Sequence, residues 1–276
     1  MRDMLDMLDM LDMLSSPWGV CRAWRMFDTA RRNIQDACLW AWNPAQTLFT
    51  PERRGQTLQS DQKFVPALGK SSLTGSYDRV VAVMSRERRW RSALLDLIAA
   101  SDDDSIVDFG AGTGTLCIGL KRRAPACRLV GVDPDPEVLA IARAKAEALG
   151  LTIEWRQAMG DQAGAFVADG SASKAVSSLV LHHCDLPMKQ DILRAMARAL
   201  RPGGRLFIAD YGRQRTLWMR AAFLLVQAFD GCKTTGQNAR GILPQLIADA
   251  GFTEVAERLV VATPTGSISL YTARKP

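Results

Sequence analysis

"VDFGAGTGTL", residues 107–116, ends one apolar run and opens another. The run SIVDFG (105–110) has the length and composition of a buried strand. Helical character follows over Thr113–Arg123. Between them stand Gly110, Gly112 and Gly114, spaced as GxGxG. Glycine permits tight turning and lets a ligand approach the backbone. The helix beyond offers N–H groups with no partner inside the helix. A strand, a glycine loop and a helix in this order make the first half of a β-α-β unit.

The pattern repeats outward from there. CRLVGVD (127–133) reads as a second strand, and PEVLAIARAKAEALG (136–150) as a helix stopped by Gly150. LTIEWRQA and KAVSSLVLH read as strands three and four, the latter running to His182. MKQDILRAMARALRPGG reads as a helix ended by Pro202 and two glycines, and GRLFIADYG as a fifth strand. Alternation of this kind predicts an α/β fold with a doubly wound, mainly parallel sheet. TEVAERLVVATP and GSISLYTAR, joined by a short turn, predict a closing antiparallel hairpin. Seven strands result. Between them, RTLWMRAAFLLVQAFDG (215–231) predicts a helix apolar around most of its circumference, and ILPQLIADAGF a short one.

The region before residue 101 is different. Residues 1–70 form an extension that opens on DMLDMLDMLDML, whose period of three does not match a helical repeat. Trp18, Trp24, Trp40 and Trp42 follow, mixed with Arg22, Arg25, Arg31 and Arg32. Aromatic–basic segments of this kind lie on membrane interfaces or pack on a parent domain, so residues 15–70 are a candidate for peripheral membrane contact. Residues 71–100 predict a helical lid, split near Ser85, ahead of a main domain at 101–276.

The net charge is +6: residues 1–14 carry −3, residues 15–96 carry +6 and residues 97–276 the remaining +3. No nucleic-acid signature accompanies it. Six scattered cysteines without a CxxC pair read as reduced thiols in a cytoplasmic protein, with no metal site. There is no run of 18 apolar residues and no signal-peptide pattern.

Asp133 closes the second strand, where a carboxylate accepts hydrogen bonds from ribose hydroxyls. Asp161 stands just past the third strand in MGDQ, where it can meet an exocyclic adenine amine. A dinucleotide loop would place a third glycine where this chain has Thr115.

Together, GAGTG, VGVDPDPEVLAIARAKA, GDQ, SSLVLHH, ARALRPGGRLFIADYG and the closing hairpin resemble the class I S-adenosylmethionine-dependent methyltransferases. The resemblance spans about residues 72–276 and is nearest in character to the enzymes related to ubiquinone and menaquinone biosynthesis. It departs at Val81, usually Asn in those enzymes, and at Ala172–Ser173, commonly Phe-Asp. The resemblance implies a Rossmann-like methyltransferase fold with S-adenosylmethionine as cofactor. It implies that Asp108 and the backbone of Gly110, Gly112 and Gly114 hold the methionine end, and that Asp133 binds the ribose beside Pro134. Asp161 and Gln162 would face the adenine edge, and the backbone near Ser178 the methionine amino group. His182 and His183 would face the transferred methyl, as a general base or as strand caps. Tyr77, Asp210 and Tyr211 would line the pocket of a small-molecule acceptor, quinone-like or lipid-like. The alternative is a protein of this fold that binds cofactor or a partner without transferring a group.

Overall fold

The computed structural model describes residues 86–165 and 167–276. Residues 1–85 lie outside the description, and with them Tyr77, the low-complexity start and the Trp–Arg segment. Gln227–Cys232 groups apart from residues 86–226 and Lys233–Pro276, which form the second compact unit.

Helix α1 (Glu87–Ile98) begins after Arg86, whose φ of 49° breaks the expected apolar stripe near Ser85. It buries Trp90, Leu94 and Ile98, spaced by four, on one face. Then come β1 (Ser105–Phe109), α2 (Thr115–Arg123), β2 (Arg128–Asp133), α3 (Pro136–Ala148) and β3 (Glu154–Gln157). β4 (Ala172–Ser178), α4 (Leu186–Ala199) and β5 (Leu200–Tyr211) follow. The chain closes with α5 (Leu217–Asp230), α6 (Cys232–Arg240), α7 (Leu243–Asp249), β6 (Thr253–Thr263) and β7 (Gly266–Arg274).

The seven strands form one sheet in the order β3-β2-β1-β4-β5-β7-β6. The first five pair in parallel, and β7 runs antiparallel to both β5 and β6. The expected sheet and hairpin are both present. β7 inserts between β5 and β6, because its run of buried small and apolar residues suits a central strand while β6 has one exposed side. Alternation along each strand feeds two cores. Ile106 and Phe207 pack with Trp90 on one face, and Val107 and Leu206 with Met196 on the other.

Three boundaries differ from the sequence reading. β4 ends at Ser178 instead of His182, because Leu179 turns to φ 57° and Leu181–His183 coils into a single 3₁₀ turn. Helix α4 ends at Ala199, three residues before the Pro202 expected to stop it. Arg201–Gly204 instead bulges within β5, between the pairs Ala172↔Leu200 and Lys174↔Arg205. Pro202 disfavours helix in the residue before it, and Gly203 takes φ 75°. Helix α6 is new, formed by a sequence (CKTTGQNAR) with low helix propensity.

Ser173, where related enzymes commonly carry Asp, joins a buried polar cluster. Its hydroxyl donates to Asp104 at 2.7 Å and accepts from the Ser105 N–H, while Lys174 Nζ lies 2.6 Å from Asp104. Burial opposes ionisation of Asp104, but Lys174, Ser101 and Ser173 outweigh it and hold the carboxyl at about 2. Asp104→Asn should therefore cost about 2 kcal/mol at neutral pH. That difference persists above the unfolded carboxylate pKa and fades as pH falls through 4 towards 2. Urea melts at pH 7 and pH 3 check it, and equal stability at pH 7 would mean the cluster contributes nothing.

Candidate active site

In this strand order β1 lies between β2 and β4, so the connections leaving β1 and β4 part in opposite directions and open a crevice at the strands' carboxyl ends. The glycine loop leaves β1 there. Gly110 N–H and Ala111 N–H both donate to the Val132 carbonyl at 2.8 and 3.0 Å, which ties the loop to β2. A Cβ on Gly110 would stand 2.2 Å from Val180, so any larger residue would push away the segment that follows β4. Gly112 differs: at φ 52° it has no atom within 4 Å of where a Cβ would be. The space above its backbone is open to a ligand.

Asp133 holds the loop from the other side. Its Oδ2 accepts the Gly112 N–H at 2.8 Å and its Oδ1 the Asp135 N–H at 3.0 Å. Burial pushes its carboxyl above the usual range, with these two N–H groups acting against it. Asp133 is not the cap of α3; Asp135 does that, accepting from the Glu137 N–H. Each Asp133 oxygen keeps a lone pair. Pro134 lies between the two aspartates, and its carbonyl accepts from Gln157.

Two carboxylate oxygens at this crevice lack any partner among the described residues. Asp108, fully buried in β1, accepts the Cys117 thiol on Oδ2 at 3.2 Å and leaves Oδ1 unpaired. Burial pushes its carboxyl up to about 7. Asp161 lies on a 3₁₀ turn, Gly160–Ala165, with a buried, unpaired Oδ1, and Gln162 beside it is exposed. Unpaired buried acceptors are costly and few in native proteins. A ligand bringing N–H donors, such as an ammonium and an exocyclic amine, would satisfy both. These residues therefore fit S-adenosylmethionine.

A second cluster stands at the ends of β4 and β5. Asp210, buried at the end of β5, lies 2.8 Å from His182 Nδ1 and accepts the Leu181 and Tyr211 N–H groups at 2.7 Å each. Burial alone would raise its pKa, but His182 and the Tyr211 N–H bring it below the usual range. The Asn238 amide from α6 reaches Asp210 at 3.4 Å and the Tyr211 carbonyl at 3.1 Å, and its own Oδ1 is buried without a partner. Tyr211 stands edge-on to His182 with centroids 5.0 Å apart, and its hydroxyl meets Thr265. His183 is exposed, its ring centroid 3.9 Å from that of His182, whose proximity lowers its pKa. Ser178 ends β4 next to this turn.

Among the residues singled out in the sequence, Asp108, Gly110, Gly112, Gly114 and Asp133 converge on one loop, and Asp210, Tyr211 and His182 on one neighbouring cluster. Cys117 and Lys189 were not foreseen. Cys117 lies in the first turn of α2, and its thiol meets Asp108 of β1. Lys189 is fully buried in α4, and its Nζ donates to the Thr234 carbonyl and the Gln237 side chain, fastening α6 down.

Residues 106–204 match the profile of a family described as "Methyltransferase domain". The chain is 35% identical over 143 residues to a demethylmenaquinone methyltransferase of Thermus thermophilus, covering 51% of this chain and 63% of that protein. It is 31% identical over 145 residues to a ubiquinone/menaquinone biosynthesis C-methyltransferase of Bdellovibrio bacteriovorus, covering 52% and 60%. The chain thus spans about three-fifths of the length of these relatives. Its fold is shared with an S-adenosylmethionine-dependent methyltransferase of Thermotoga maritima at TM-score 0.55 and 18% identity, over 74% of this chain and 96% of that one. Over residues 106–204 the chain is thus similar to a methyltransferase domain, a likeness that implies S-adenosylmethionine as cofactor, and its sequence relatives include enzymes named for menaquinone and ubiquinone biosynthesis.

Proposed function

We propose that this protein transfers a methyl group from S-adenosylmethionine to a small apolar acceptor of the quinone-like or lipid-like class. The observation that carries the transfer step is the buried Asp210–His182 pair beside the glycine loop. A binding module has no need of an imidazole held in one orientation by a buried carboxylate.

When bound, the cofactor supplies an activated methyl on a sulfonium. The chain supplies the rest. Asp133 holds ribose hydroxyls through its spare lone pairs, Asp161 takes the adenine amine with Gln162 beside it, and Asp108 takes the methionine ammonium near the Ser178 backbone. Asp210 accepts Nδ1–H of His182, which fixes the tautomer and leaves the basic lone pair on Nε2. His182 then removes the acceptor's proton as its nucleophilic atom attacks. Asn238 holds Asp210 from behind, and Tyr211 forms the acceptor-side wall. His183 is a stacking neighbour of the base. The relatives named for menaquinone and ubiquinone biosynthesis support the quinone-like class.

Calorimetric titration with S-adenosylmethionine and S-adenosylhomocysteine should give micromolar binding of both. Incubation with demethylated quinols should then release S-adenosylhomocysteine. No binding of either ligand by the folded chain would end this reading. Binding without turnover on any quinol, phenol or lipid acceptor would favour the non-transferring alternative.

A further inference from the structure

Helix α5 has two apolar faces, and among the described residues only one is covered. Phe223 and Val226 point inward, and the Phe223 ring lies 5.1 Å from Tyr211. On the opposite side Leu217 and Trp218 are 82% and 85% exposed, and Leu224 and Leu225 are 59% and 46% exposed. These four occupy positions i, i+1, i+7 and i+8 of one helical stripe, with exposed Ala221 between them. A stripe of this size, carrying a tryptophan at its head, is more than the scattered apolar exposure of an ordinary surface.

Its surroundings are basic. Residues 212–221 hold Arg213, Arg215 and Arg220 and no acidic residue, and with the Glu257 that meets Arg215 counted in, the local excess is two positive charges. Arg213 and Arg215 stand just before the helix and Arg220 one turn inside it. Arg215 pairs with Glu257 of β6, and Arg220 reaches the Gln214 carbonyl, so both guanidinium groups are held at the base of the stripe. No helix among the described residues is long and apolar enough to cross a membrane.

We propose that the outer face of α5 docks on a lipid bilayer bearing anionic headgroups. Leu217, Trp218, Leu224 and Leu225 enter the boundary between headgroups and acyl chains, and the arginines meet lipid phosphates. The helix lies in the interface plane. Its inner face, through Phe223 and Tyr211, is the wall of the cluster around His182, so docking places that cluster one helix diameter, roughly 10 Å, from the bilayer. A lipid-like acceptor would then leave the membrane beside the site that uses it. Docking itself needs no methyl transfer, so its test and that of the transfer reading can fail separately.

The test is flotation of the full chain with phosphatidylcholine vesicles, with and without about one-third phosphatidylglycerol. The wild-type chain should float with the anionic vesicles and lose partitioning as salt rises. Leu217→Ser/Trp218→Ser/Leu224→Ser should reduce partitioning at least about tenfold with Tm unchanged, and Arg213→Glu/Arg220→Glu should weaken it on anionic vesicles alone. Failure of the wild-type chain to float would overturn the proposal. So would undiminished flotation of the triple serine variant, which would assign binding to another segment such as residues 15–42. A wild-type dimer by light scattering that the serine variant splits into monomers would also overturn it, because a second copy would then own the face.

Discussion

Asp133→Ala should lower affinity for S-adenosylmethionine by at least about 100-fold. The carboxylate has two tasks, and alanine ends both. It now anchors the Gly112 and Asp135 N–H groups, each a charge-assisted bond worth roughly 1.5–3 kcal/mol. On the proposed reading it also accepts from the ribose. Loss of the ribose contacts alone, at about 1.4 kcal/mol per tenfold, accounts for the expected change. Release of Gly112 adds to it, because the open space above that glycine depends on where its backbone is held. Asp133→Asn keeps one acceptor oxygen and should fall between the two. Calorimetry on variants with unchanged circular dichroism reads the effect directly. Affinity within threefold of wild type in the alanine variant would remove Asp133 from the cofactor site.

His182→Ala should lower kcat by about 10²–10⁴ while cofactor affinity changes little. Asp210→Asn should come close to it, since the amide keeps the shape of the carboxylate but loses the charge that orients the imidazole. Asp210→Ala is the harsher change. It strands the buried Leu181 and Tyr211 N–H groups and should cost at least about 2 kcal/mol of stability as well. The discriminating readout is the split between kcat and cofactor affinity: loss of a base that acts only in the transfer step lowers kcat alone, whereas a turn that has lost its shape weakens binding as well. Activity near wild type after His182→Ala would mean that alignment of acceptor and donor suffices and that the histidine only shapes its turn.

The part of the site legible in the sequence is the part built locally. A strand, a glycine loop and a helix are contiguous, and Asp133 is one strand further on. Their positions follow from periodicity and from the glycines' backbone freedom. What could not be read was decided across the fold. KAVSSLVLH looks like one strand to the end, yet Asp210 captures the Leu181 N–H from 29 positions away, and the strand stops at Ser178. CKTTGQNAR is a poor helix former, but Lys189 and Asn238 fix it to α4 and β5, and a helix results. The polar letter Lys189 inside an amphipathic stripe gave no sign that it would be buried. RPGG reads as a stop, as it is, but the sequence alone does not say that the bulge it makes belongs to the next strand. Ser173 looked like a loss relative to related enzymes. The structure shows its hydroxyl donating to Asp104, just ahead of the neighbouring strand β1.

On the proposed reading, in which Asp108 takes the methionine ammonium, its burial has a consequence for how the cofactor is taken up. Its carboxyl, pushed up to about 7 by burial, is largely protonated in the empty protein on the acid side of neutrality. A methionine ammonium arriving at the unpaired oxygen favours the ionised form, so the proton leaves as the ligand enters. One positive charge replaces another, and the interior near β1 stays close to neutral throughout. Capture should therefore tighten with rising pH until the carboxyl is ionised beforehand. S-adenosylhomocysteine carries the same ammonium and displaces the same proton, so this exchange does not distinguish spent cofactor from fresh. That discrimination falls to whatever surrounds the sulfur.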